Sequence, residues 1–249
     1  MTKNILNAAL VLLGAGSLLT GCDFEQPSAP CFVQDSTAWY AKYDPVDEPR
    51  DANGAACAIV APLGERIGVY KFVDPDDLSK SLLTIRPNGT ASLGARDAGD
   101  PKRQTAVGSL AVEPDANDFC AATGFSPAAV DAAATASAPA NSIAYEFSNV
   151  RVYSAPKAPG TQLTGELKYT RNGCTSTYVV RAMWPAEPCV VGANRDTDPV
   201  NACGNGSGLN PDFDAECMAL PTPNCGSAEP ARQNGCCVPK KAIPSFIEG

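Results

Sequence analysis

The chain contains no histidine. That excludes every Ser-His-Asp and Cys-His nucleophile arrangement, and it leaves zinc without its usual nitrogen ligand. There is no C-x-x-C pair and no G-x-S-x-G elbow; Gly204-Asn205-Gly206-Ser207-Gly208 has the wrong spacing. Charge is sparse, at 18% of residues, and cations are outnumbered 19 to 27. An acidic surface repels phosphate backbones, so nucleic acid is not an expected partner. No fixed-period repeat is visible. Past the first 22 residues no apolar run approaches the roughly 20 residues needed to span a bilayer.

One apolar run is present, and it comes first. Lys3 gives a positive start, Ile5 to Leu19 is almost wholly apolar, and Leu19-Thr20-Gly21-Cys22 follows. This is the layout of a secretory leader. The last four residues resemble the lipobox of bacterial lipoproteins. That resemblance implies cleavage before Cys22, a diacylglycerol thioether on its sulfur and an acylated (for example palmitoylated) new amine. It covers the export segment only. Residues 1–21 would be the signal peptide and 22–30 a lipidated tether, DFEQPSAP after the cysteine. At about 3.3 Å per residue the tether reaches at most roughly 26 Å. The net charge of −8 becomes −9 once Lys3 leaves. Asp23 resembles the inner-membrane retention residue of enteric lipoproteins. The outer membrane or cell surface is the favoured location, with the periplasmic face of the inner membrane as the alternative.

The cysteines agree with export. There are 11, an odd number. Giving Cys22 to lipid leaves ten: Cys31, Cys57, Cys120, Cys174, Cys189, Cys203, Cys217, Cys225, Cys236 and Cys237. An even set in an oxidising compartment reads as disulfides. Four lie before residue 188 and six after it, so two regions closing separately and bridges between them are both allowed. Adjacent Cys236 and Cys237 should have separate partners, because a bond between neighbours makes a strained ring.

Residues 31–188 read mainly as antiparallel strands, six to nine in number. Arg66 to Val73, Ser81 to Arg86, Thr105 to Val112 and Ile143 to Tyr153 are rich in β-branched and aromatic residues, with Asp74-Pro75-Asp76-Asp77 as a turn. Alternation from Ile143 through Phe147 shifts phase at Val150, which predicts a bulge. Asn172-Gly173 is a type I′ hairpin signal. As a two-residue loop it sets Arg171 opposite Cys174, Tyr169 opposite Ser176, Leu167 opposite Tyr178 and Gly165 opposite Val180. Leu167, Tyr169, Tyr178, Val180, Ala182 and Trp184 then share one face. Ser126-Pro127 followed by Ala128 to Ala136 predicts a short helix. Residues 189–249, rich in Cys, Gly, Asn and Pro, cannot order themselves by burial and need their crosslinks. They are expected as an extension packed on the β domain, guarding its sheet edges. The expected architecture is a β-sandwich or flattened barrel, the sandwich preferred because the hairpin has one apolar and one polar face.

No catalytic residue stands out. Ser154-Ala155-Pro156-Lys157 fits S-x-x-K formally, but it follows a strand, carries a proline and lacks K-T-G. Asn88-Gly89-Thr90 and Asn205-Gly206-Ser207 read as turns. No cofactor and no metal is expected. Calcium is a weak alternative, because Asp44, Asp47, Glu48, Asp51 and Asn53 crowd one loop and Asp196 and Asp198 another, without matching a known loop pattern. Trp39, Tyr40 and Tyr43 are candidates for a binding surface, against the plainer reading that they pack a core. The expected function is a non-catalytic structural or adaptor role at the membrane surface, held by acyl chains and meeting other envelope proteins. A small-ligand or glycan-binding lipoprotein is the alternative, and a carboxylate-based hydrolase comes third.

Overall fold

The computed structural model describes residues 30–58, 62–219, 225 and 234–248. The leader, Cys22 and nearly all of the tether lie outside them. Nine strands run in order: β1 (Ser36–Pro45), β2 (Gly64–Val73), β3 (Ser81–Pro87), β4 (Ala106–Leu110), β5 (Phe119–Thr123), β6 (Ala128–Ala132), β7 (Asn141–Tyr153), β8 (Gln162–Arg171) and β9 (Cys174–Met183). Consecutive strands pair antiparallel except β5 and β6, and β1 also pairs with β9. The ring closes where β5 pairs with β7, Phe119 opposite Tyr153 through Ala122 opposite Val150. Eight strands therefore make a closed barrel, and β6 lies outside the ring along the first half of β7. The architecture is a barrel rather than the preferred sandwich. Inward apolar and outward polar alternation is common to both.

The 165–184 hairpin has the register that the turn dictates, from Arg171 opposite Cys174 to Gly165 opposite Val180. Asn172 and Gly173 take positive φ, 51° and 80°. Leu167, Tyr169, Tyr178, Val180 and Ala182 are buried in the main core, and Trp184 packs against it. The register of β7 shifts between Ser148 and Arg151, with Asn149 at φ 50°. Glu166 fixes that bulge. One carboxylate oxygen accepts from Asn149 Nδ2 at 2.9 Å and from Ser148 Oγ at 3.3 Å.

The helix expected over Ala128 to Ala136 is instead strand β6. Ala128, Val130 and Ala132 alternate as buried residues and pair with Tyr145, Ile143 and Asn141. Alanine's helical preference is weak and yields to burial on β7. Ser126 caps no helix, since its Oγ accepts from Val107 N and its own N donates to Val107 O.

The ten cysteines form five bridges: Cys31–Cys120, Cys57–Cys174, Cys189–Cys217, Cys203–Cys237 and Cys225–Cys236. The barrel and the C-terminal segment close separately, and neighbours Cys236 and Cys237 have different partners. The C-terminal segment forms a small sheet of β10 (Pro188–Cys189), β12 (Gly235–Pro239) and β11 (Ala215–Ala219). It covers the outer face of β1, where Tyr40 packs with Ala186, Cys225, Cys236 and Val238. Lys42 Nζ reaches Glu216 at 2.9 Å. At the barrel end Gln162 and Ser245 exchange two hydrogen bonds, and Phe213, Phe246, Tyr153 and Phe119 meet edge to face. The segment thus covers a face, not an edge, because the closed ring has no edge between β1 and β9. No helix among the described residues is long and apolar enough to cross a membrane.

Cys31–Cys120 ties the entering chain to β5 and closes a separation of 89 residues. Replacing both by alanine should cost about 3–5 kcal/mol of unfolding free energy. Denaturant titration against the parent protein checks this, and a loss below about 1 kcal/mol would show that the entry segment is held without the bridge.

Candidate functional site

The barrel has two ends. One gathers the start of β1, the β2–β3 turn, the β4–β5 turn and the entering chain. The other gathers residues 46–58, the connection 88–105 and the connections flanking β6. On β2 the inward positions are Glu65, Ile67 and Val69, so strand alternation delivers a carboxylate into the second end. Glu65 is buried, with 8% of its surface exposed. Tyr43 Oη donates to Glu65 Oε1 at 3.1 Å, and Gly89 N donates to Glu65 Oε2 at 2.7 Å. Tyr145 also donates to Glu65, and Tyr169 meets Tyr145 with rings edge to face at 4.9 Å. Gly89 opens a short helix, α1 (Asn88–Leu93). A Cβ there would collide with the Tyr145 hydroxyl.

Burial raises the Glu65 carboxyl to about 6, opposed by the hydrogen bonds from Gly89 and the tyrosines. Burial first and the Glu65 charge second push Tyr43 and Tyr145 well above the ordinary phenol range, while burial lifts Tyr169 to about 12. The arrangement is a polar plug, in which a carboxylate pins α1 and two phenols across the barrel end, with Tyr169 packed on Tyr145. Glu65 was not singled out in the sequence. The available signal was a charged residue in phase with Ile67 and Val69.

The candidate aromatic surface is corrected. Trp39, Tyr40 and Tyr43 are 0%, 2% and 3% exposed. Trp39 and Tyr43 fill the barrel, and Tyr40 on the opposite face lies under the C-terminal segment. Strand β1 is covered on both sides, so consecutive residues are buried.

The acidic loop does not gather its oxygens. Asp44 pairs with Lys42 and Arg181 at 3.4 and 3.3 Å. Asp47 accepts from Ser176 Oγ, Thr177 N and Thr177 Oγ1, and these hydrogen bonds, the backbone one foremost, lower its pKa. Asp51 accepts from Asn53 N and Ala55 N. Glu48 reaches Arg50 at 3.9 Å. Asp198 accepts from Asn201, and Asp196 sits in a turn held by Asn194. Among the described residues, the sulfurs of Cys189, Cys203 and Cys237 come within 4.8 Å of one another. All three are in disulfides, which lack the thiolate that metals bind. Ser154 Oγ accepts from Phe32 N, while Lys157 Nζ lies 3.9 Å from the Phe246 ring centre. Neither bond brings the serine and lysine together.

Two grooves lie on the outside of the barrel strands, besides two smaller ones in the C-terminal segment. One, of about 510 Å³, lies over the β7 bulge and is lined by Asn149, Arg151, Thr164 and Glu166. The other, of about 460 Å³, runs over β2 and β3 and is lined by Thr37, Arg66, Gly68, Tyr70 and Arg86. Arg66 donates to Thr37 O at 3.3 Å and Arg86 to Gln104 Oε1 at 2.7 Å.

The class defined by these features is a closed, disulfide-bonded antiparallel β-barrel packed with its own side chains. The MlpA family model matches residues 37–185, which span β1 to β9. The chain is also 54% identical over 247 residues, 99% of this chain and 100% of the relative, to "Putative lipoprotein MlpA" of Myxococcus xanthus. The chain belongs to the MlpA family. No solved structure matches it.

A carboxyl that holds its proton more tightly when folded contributes stability below its unfolded pKa, near 4.5, and loses it as pH rises through about 6. The parent protein should therefore lose about 2 kcal/mol relative to Glu65→Gln between pH 4.5 and 7. Denaturant unfolding of both across that range checks this. Parallel profiles would contradict the plug.

Proposed function

We propose that the protein is a lipid-anchored component of the bacterial envelope with a non-catalytic structural or adaptor role in protein contacts at the membrane surface. The anchor rests on the lipobox at Cys22 and on the relative's name as a lipoprotein. The adaptor role rests mainly on one observation. The barrel interior is filled by large side chains, among them Trp39, Tyr145, Ile67, Leu83 and Leu167, each less than 2% exposed. A filled small barrel offers rigidity and outer surface rather than a reaction chamber. Residues 1–21 are read as the signal peptide, 22–30 as the lipidated tether, 31–188 as the barrel domain and 189–249 as a crosslinked extension stiffening one side. The outer membrane or cell surface is the favoured location. A second reading is favoured by the β2–β3 groove, where two arginines flank Tyr70 in an otherwise acidic protein. That groove suits a small anionic ligand or glycan.

Two outcomes follow. Cys22→Ser should move the protein from the membrane to the aqueous fraction on flotation; retention with unchanged gel mobility would refute the anchor. A photo-crosslinker at Leu63, 57% exposed at the loop-rich end, should give one reproducible protein adduct in the native envelope. Absence of any protein adduct there would contradict the adaptor reading.

A further inference from the structure

Eleven large apolar side chains are well exposed among the described residues, and six of them stand at one end of the barrel. Phe72 and Leu82 are directly paired on the outer face of β2 and β3, so their side chains are neighbours. Val73 ends β2, and Leu78, 73% exposed, lies in the turn that follows. Val112 begins the β4–β5 turn, and its carbonyl accepts from Cys31 N at 2.7 Å. Lys71 Nζ donates to Cys31 O at 2.6 Å, so the entering chain bridges the ends of β4 and β2. Phe32, half exposed, follows at once. The remaining five are scattered: Val46 and Leu63 at the other end, and Val191, Val200 and Ile247 in the C-terminal segment.

Isolated exposed apolar residues need no explanation, but six gathered at one barrel end do. The place where the chain enters identifies its occupant. Pro30 is exposed at this same end, and the chain from Asp23 to Pro30 is all that joins it to the lipid-bearing position. That stretch spans at most roughly 26 Å. A ten-residue strand tilted as in a small barrel covers roughly 25 Å along the axis. The tether would have to run back along the whole barrel for the opposite end to touch the bilayer. We infer that the rim formed by Phe32, Phe72, Val73, Leu78, Leu82 and Val112 rests in the surface of the membrane that holds the lipid anchor. This fixes the barrel end-on, with residues 46–58, the connection 88–105 and the connections flanking β6 facing away. The inference rests on the anchoring reading and specifies the anchored geometry.

The charges beside the rim select the lipid. Asp74, Asp76 and Asp77 lie in the β2–β3 turn, where Lys80 pairs with Asp77 at 2.9 Å, and Glu113 and Asp115 lie in the β4–β5 turn. Such a border disfavours anionic headgroups and accepts zwitterionic ones. The apolar side chains would enter only the headgroup and outer acyl region, as interfacial segments do.

The test uses the full lipidated chain reconstituted into phosphatidylcholine vesicles with brominated acyl chains. Leu78→Trp and Val46→Trp each put one exposed reporter in a loop, at opposite ends. The parent chain supplies the background of Trp39 and Trp184. Bromolipid quenching of Leu78→Trp should exceed that of Val46→Trp by about twofold or more, given the 5–10 Å depth of interfacial burial. Equal quenching, or stronger quenching of Val46→Trp, in protein that floats with the vesicles would overturn the rim contact and leave the anchor standing. Protein that fails to float would remove the anchor and the rim contact together. A blue shift of Leu78→Trp that grows with protein concentration, without bromine quenching, would assign the rim to a second copy and overturn the membrane contact.

Discussion

Barrel closure depends on one short ladder. Strand β5, five residues long, must reach β4 on one side and the second half of β7 on the other. It can do so because β7 runs for 13 residues and bends at its bulge, leaving its first half to β6 and its second to β5. A bulge raises local twist and re-aims the strand. The side chains around it are chosen for that bend. Asn149 takes the left-handed conformation, Glu166 holds its amide, and Gly165 opposite gives room to Val150. The Cys31–Cys120 bridge then fastens the closing strand to the entering chain.

Much follows from closure. A ring without edges between β1 and β9 frees the C-terminal segment to lie on a face, where Tyr40 gives it an apolar footing. The closed interior is too narrow for anything but side chains, and Glu65 with its tyrosines finishes one end. The opposite end is finished by the entering segment and, on one side only, by the C-terminal segment. Its other side carries the apolar rim. The molecule is thus polar along its axis, with an apolar end where the described chain begins and a hydrogen-bonded, loop-rich end.

The parts of this fold legible in the sequence are those set by neighbours in the chain. Asn172-Gly173 fixes two positive φ values, and the register of β8 and β9 follows. The bulge shows as a broken alternation between Phe147 and Val150. What is set by distant partners was not legible. Ala128 to Ala132 reads as helix until β7 is placed beside it. Sandwich and barrel differ by the β5–β7 ladder alone, and neither strand announces it. The aromatic cluster at residues 39–43 was ambiguous because burial on both faces of β1 needs the C-terminal segment. Glu65 does not stand out in the sequence, because a lone acid next to a strand looks like a surface residue. The even set of ten cysteines beyond Cys22 is legible, but their pairing needs the fold.

The closure itself can be measured residue by residue. Native-state amide hydrogen exchange should protect the paired amides of Phe119–Ala122 to within about 1 kcal/mol of those in β8, since a closed ring opens as a unit. Exchange of those amides at the rate of exposed loops, with β8 still protected, would mean an open sheet and would contradict the account at its foundation.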